Sequence, residues 1–149
     1  MADFLNAHLI VKELSVRIQT AWGLTADDIY DYPPLQPVQA DHAVIVATGA
    51  VKGSGGAKCK SFVQAFSIVG QFEYPSAQSA TVFRTEKAND LLTEIYKANH
   101  FMDGLTVLGS LFGVDDIAFD DIGEDHSRFL EIRLSFQIET VNTAVPVTP

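Results

Sequence analysis

Between Arg128 and Glu139 the chain alternates without a break: Leu130, Ile132, Leu134, Phe136 and Ile138 are apolar, while Glu131, Arg133, Ser135, Gln137 and Glu139 are polar. Successive side chains of a strand point to opposite faces, so this pattern specifies one long two-faced strand. One face packs on a core, and the other is offered to water or to another subunit. Lys60 to Tyr74 shares the design. It sets Phe62, Phe66, Ile68 and Phe72 on one side, interrupted by Gln64 and Gly70, and Val63, Ala65, Ser67, Val69 and Gln71 on the other, so that both faces can be covered.

The rest of the chain supplies partners for these strands. Phe4, Leu5, Leu9, Leu14, Ile18 and Trp22, with Ala7 and Val11, recur at three- and four-residue intervals after Asp3, which predicts an amphipathic helix closed by Gly23 with Lys12 and Arg17 near its polar side. Ala26 to Gln39 contains Pro33, Pro34 and Pro37 among acidic residues, and is expected to be an extended connection without regular structure. Ala43 to Ala47 is a continuous apolar run within a strand expected over His42 to Val51, suited to a central position. The glycine-rich stretch Lys52 to Lys60 makes this strand and the next a hairpin. Ala88, Leu91, Leu92, Ile95 and Ala98 form the stripe of a second helix, with Arg84, Glu86, Lys87, Asp90, Glu94 and Lys97 on its wet side. Residues 104–113 fit a helical turn and an extended piece equally. Ile117 and Phe119 alternate as a strand, so the long final strand completes a second hairpin.

The expected fold is therefore α+β: an antiparallel sheet of about four strands with helices on one face, in the order helix, hairpin, helix, hairpin. Residues 1–141 form one domain and 142–149 a flexible tail. A chain of 149 residues buries roughly 70% of its unfolded surface, enough for one core. With 47% apolar and 19% charged residues it has the composition of a folded protein rather than a disordered one, and the low charge leaves room for a buried assembly surface.

Function classes can be removed on similar grounds. Ten basic against nineteen acidic residues give a net charge of −9, which repels phosphate backbones and argues against direct nucleic-acid binding. The single Cys59 cannot form an intrachain disulfide, and with no motif around it reads as an inert thiol in a reducing cytoplasm. No basic leader with an apolar run opens the chain, and no segment approaches the roughly 20 apolar residues that span a bilayer. No membrane partner is expected.

Each cluster of reactive residue types also fits a plainer role. Gly53 to Lys58 departs from the G-x-x-x-x-G-K-[ST] phosphate loop, because Cys59 and then a strand follow it. Lys52, Lys58 and Lys60 fit instead a hairpin tip that contacts an acidic neighbour. Asp115, Asp116, Asp120, Asp121, Glu124 and Asp125 invite a cation, yet their spacing misses the EF-hand pattern, and a solvated hairpin end explains them. His8, His42, His100 and His126 form no zinc spacing, and Ser54 sits in no nucleophile elbow. Trp22 reads as a cap on the core. Tyr30 and Tyr32, beside the prolines, read equally as packed loop residues and as interface anchors. No catalytic residue, cofactor or metal set is assigned; Lys52, Lys58, Lys60, Tyr30, Tyr32, Asp120, Asp121, Glu124 and Asp125 stand as interaction candidates.

The order helix, Pro-containing connection, "HAVIVATGAV", Gly-rich loop, "FVQAFSIVGQFEY", helix, "RFLEIRLSFQIETV" resembles the tail terminator, or tail-completion, proteins of long-tailed bacteriophages. The likeness spans residues 1–141 and is one of length, element order and strand pattern, without a diagnostic motif. It implies a non-enzymatic virion protein of the tail neck, assembled in the host cytoplasm into a hexameric ring. Such a ring caps the tail tube, stops its polymerisation and joins tail to head, so the implied partners are further copies of the chain, the tube protein and a head-completion or connector protein. Gene-transfer and contractile-injection particles use the same part. Two other readings of the chain remain: a different head-to-tail connector or tube-forming tail protein, and a small-ligand or enzymatic α+β domain built around Cys59 and a histidine.

Overall fold

A computed structural model describes residues 7–32, 34, 40–54, 61–73, 79–96, 107–122 and 129–142. Helix α1 (Ala7–Trp22) leads through a single 3-10 turn (Ala26–Asp28) into strand β1 (Ile29–Tyr30). Then come β2 (His42–Ser54), β3 (Ser61–Glu73), helix α2 (Ala80–Ile95), β4 (Val107–Ile122) and β5 (Phe129–Asn142). The five strands form one sheet in the order β1-β2-β3-β5-β4. The class is α+β as the patterns require, and both hairpins form, but the sheet is mixed: β1 runs parallel to β2.

The centre of the sheet is the pair of strands whose alternation is cleanest. Thirteen consecutive residues of β3, Ser61 to Glu73, pair antiparallel with Val141 back to Phe129 of β5 without a register shift. Phe66, Ile68 and Phe72 of β3 and Leu130, Ile132, Leu134, Phe136 and Ile138 of β5 are all buried on one face. The two helices cover this face. Ile10, Leu14, Ile18 and Trp22 of α1 and Phe83, Leu91 and Ile95 of α2 join the same apolar cluster. Ile10, rather than Leu9, begins the α1 stripe, since a four-residue step from Leu14 keeps it on the buried side. Phe4 and Leu5 lie outside the described residues.

Both helix ends follow from local chemistry. Gly23 adopts φ 66° and donates its N–H to the Gln19 carbonyl at 2.9 Å, the left-handed closure that glycine enters without strain. Ser79 precedes α2, and its carbonyl accepts the Phe83 N–H at 2.9 Å. The helices are also bound to each other. Trp22 Nε1 donates to the Lys87 carbonyl at 2.9 Å, and the Arg17 guanidinium, half-buried rather than solvated, donates to the Glu94 carbonyl.

Three sequence expectations need correction. The Ala26 to Gln39 connection holds regular structure, because Asp28 Oδ2 accepts both the Thr25 N–H (3.1 Å) and its hydroxyl (2.9 Å), closing a turn that aims Ile29 and Tyr30 along β2. Strand β2 is not central. Beside it lies only two-residue β1, so alternate residues Ala43 and Ile45 are buried while Ala47 and Thr48 are exposed. β5 runs through Asn142, three residues past Glu139, and the stretch before Ile117, which the sequence left open between a helical turn and an extended piece, is strand from Val107 onward. Residues 143–149 lie outside the described residues.

The Thr25–Asp28 turn offers a direct check. Asp28→Ala removes a carboxylate that accepts two hydrogen bonds, and a loss of about 1 kcal/mol is expected in urea unfolding, with Asp28→Asn intermediate.

Candidate functional site

The face of the sheet turned away from the helices is built from the odd positions of β5 and their cross-strand partners. Four rows can be read across it: His42, Gln71, Glu131 and Asp120; Val44, Val69, Arg133 and Ala118; Val46, Ser67, Ser135 and Asp116; Thr48, Ala65, Gln137 and Gly113. No described element packs on this face; the two helices lie on the other. Its middle is made of short side chains, where the Ser67 and Ser135 hydroxyls share a hydrogen bond at 3.1 Å. Polar contacts organise the β3–β5 seam: Gln71 Nε2 donates to Glu131 Oε1 at 3.4 Å, and Arg133 stands 3.7 Å from the other Glu131 oxygen. The result is a firm, low-relief plate with charged and amide groups on it.

Tyr30 and Tyr32 stand at one margin. Their rings meet edge-to-face at 5.8 Å, and Tyr30 makes a similar contact with His42 at 6.0 Å. His42 is 4% exposed and its Nδ1 lies 2.8 Å from the Ala40 carbonyl. Tyr30 is thus a packed residue that supports the corner, whereas Tyr32, 57% exposed, presents a ring to solvent. The sequence left the two tyrosines undivided, and the strand pairing of Tyr30 with Val44 separates them.

The lysine and aspartate candidates fall at opposite ends of the plate. Lys52 pairs with Val63 near the tip of the β2–β3 hairpin, level with Glu139. Asp120 pairs with Glu131 and Asp121 with Leu130, near the tip of the β4–β5 hairpin, which lies level with the far end of β3. Lys58, Lys60, Glu124 and Asp125 lie outside the described residues. The candidate set is therefore not one site. Its two charged groups mark two ends, because β5 begins where β3 finishes.

Sequence reasoning passed over two features. One is a groove of about 430 Å³ on the helix side, beside the outer edge of β2, lined by Val11, Val16, Ile29 and Ile45 together with Lys12 and Asp31. The other is Phe119, 43% exposed on edge strand β4. Val16 is exposed because it lies two residues from both Leu14 and Ile18, on the side of α1 turned away from the buried stripe. Among the described residues no three His, Cys, Asp or Glu side chains are placed to share a metal ion, and no helix is long and apolar enough to cross a membrane.

No family model matches the chain, and no curated protein matches it. Among solved structures, a chain of the "Virion of native gene transfer agent (GTA) particle" aligns with 89% of this chain and 97% of its own length, at 14% identity and a TM-score of 0.48.

Proposed function

We propose that this protein is a structural component of a phage-like virion, a tail terminator whose subunits close into a ring of six at the end of the tail tube. The observation that carries the reading is the plate itself: one face is covered by helices, no described element packs on the other, and Lys52 and the pair Asp120 and Asp121 fall at opposite ends of it. The sequence likeness to tail terminators supports the same role. A subunit of this form offers a different surface to what lies above it and below it.

The mechanism is mechanical. One end of the ring docks on the last tube ring, and the other end lacks a surface on which a further tube ring could nucleate, so growth stops and a head-completion protein binds there. Complementary potentials steer such docking and set its orientation.

The test is growth arrest. Added to polymerising tube protein of the same particle, this protein is expected to halt elongation at short lengths, with a ring visible at one tube end by negative stain. An unchanged length distribution defeats the reading, and long tubes formed by this protein alone identify it as a tube protein instead.

A further inference from the structure

We propose that the outer edge of β4, along Asp116 to Ile122, receives an extended strand of a different protein, one that alternates Lys or Arg with apolar residues. The edge belongs to the single subunit, so this pairing does not require the ring.

β4 ends the strand order, and among the described residues nothing pairs with its outer side. A strand edge of this kind is a row of N–H and C=O groups that another extended chain can complete. Only part of β4 is regular enough to be used. Register shifts between Leu111 and Gly113 and between Val114 and Asp116 interrupt its first half, whereas Asp116 to Ile122 pair with Ser135 back to Phe129 in the second half. That stretch spans about 23 Å, within the usual range for a strand.

The faces of this stretch specify what an incoming strand must carry. Ile117 and Phe119 pair with Leu134 and Ile132, whose side chains are buried, so both lie on the helix side of the sheet. Ile117 is partly buried against the core, but Phe119, two residues on, is 43% exposed. Apolar residues opposite these two would cover the Phe119 ring. Asp116 and Asp120 belong to the open face, with Ala118 between them on that face.

Charge fixes the rest. The register sets Asp120 directly opposite Glu131, a like-charge arrangement that destabilises a sheet. Glu131 is compensated from β3 and β5, since Gln71 donates to it at 3.4 Å and Arg133 stands 3.7 Å away. β4 itself contains Asp115, Asp116, Asp120 and Asp121 and no Lys or Arg. The excess negative charge thus lies in the edge strand, and basic residues opposite Asp116 and Asp120 would balance it.

A second copy does not fit. Two β4 edges would bring together two acidic strands without a base between them. No described strand of this chain carries two basic residues: β2 has Lys52 alone and β5 has Arg133 alone. Another protein has to supply them.

The experiment titrates the full-length protein with three blocked peptides and follows amide exchange. The first, Thr-Lys-Val-Thr-Val-Lys-Thr, reads the same in both directions; the second has Glu for both Lys, and the third has Pro for both Val. At low salt the first is expected to slow exchange at residues 116–122 at least about tenfold, and to bind at least about tenfold more tightly than the other two. Its advantage over the Glu peptide shrinks as salt screens the aspartates. Asp120→Asn is expected to weaken its binding severalfold while raising the Tm of the free subunit. Equal binding of the Pro peptide reduces the effect to attraction between a cation and an acidic protein and overturns the proposal, as does equal binding of the Glu peptide. Binding of no peptide means that the aspartates close the edge, and overturns it too. Slow exchange at residues 116–122 without peptide, in protein that light scattering shows to be oligomeric, gives the edge to a second copy instead.

Discussion

Phe136→Ala is expected to lower the unfolding free energy by about 4 kcal/mol, the middle of the range of about 3–5 kcal/mol for truncating a buried aromatic residue. Phe136 is fully buried in β5 and lies directly opposite Phe66, with their rings stacked at 26° and 6.2 Å between centroids. The void cannot close by moving the strand, because β5 is paired along its length to β3 on one side and β4 on the other. Domains of this kind have about 5–15 kcal/mol in all, so the variant loses a large part of its margin. Urea unfolding followed by tryptophan fluorescence measures the loss. Phe119→Ala is the control: exposed on the edge strand, it is expected to change monomer stability by no more than about 0.5 kcal/mol.

Gly70→Ala is expected to cost about 3 kcal/mol, an unusual penalty for adding one methyl group. A Cβ at Gly70 would lie 2.7 Å from Trp22 Cη2 and Cζ3 and 2.8 Å from Phe72 Cε2. None of these atoms is free to retreat. The Trp22 indole is held by its hydrogen bond to the Lys87 carbonyl and by the edge-to-face contact with Phe72 at 4.9 Å, and Phe72 in turn meets Phe83 at 6.0 Å with the Lys87 ammonium over its ring at 4.8 Å. Overpacking of such a site costs about 1–3 kcal/mol, and the rigid indole places it at the top of that range. A fall in Tm of about 6–12 °C is expected at this chain length, together with a shifted Trp22 emission. An unchanged Tm would mean that the indole can swing away from the sheet. Gly70 read in the sequence as an interruption of an apolar face; the structure makes it the seat of Trp22.

The legibility of each strand tracked its pairing. β3 and β5 pair through thirteen positions with no shift, so their two-residue period survives intact in the sequence and announces both strands. β4 does not behave this way. Its bulges between Leu111 and Gly113 and between Val114 and Asp116 set Leu111, Val114 and Ile117 opposite Ile138, Phe136 and Leu134. Positions on one register row thus recur every three residues, which is the spacing of a helix, and residues 104–113 could not be resolved by period alone. β1 failed for a different reason. Two residues hold no period, and the Asp28 carboxylate that fixes their direction acts through hydrogen bonds to Thr25 instead of through an apolar pattern.

The candidate site divided along the same line. Tyr30, Tyr32, Lys52, Asp120 and Asp121 could be singled out by type and neighbourhood, but their sorting into a packed tyrosine, an exposed one and two opposite charged ends depended on strand order. The groove beside β2, and the part of its outer edge that no described residue pairs with, came from no residue type at all. They follow from the end of β1 at Tyr30.

The amino-acid sequence by itself determined the two helices, the two hairpins, the inner strands and the face of each that meets the core, because these are written in periods of neighbouring residues and enforced by burial. Tertiary structure alone decided that the sheet is mixed, that β4 is bulged, and which strands form its two edges. Those properties arise from hydrogen bonds between residues far apart in the chain, and a backbone pairing of that kind leaves little trace in the side chains it joins.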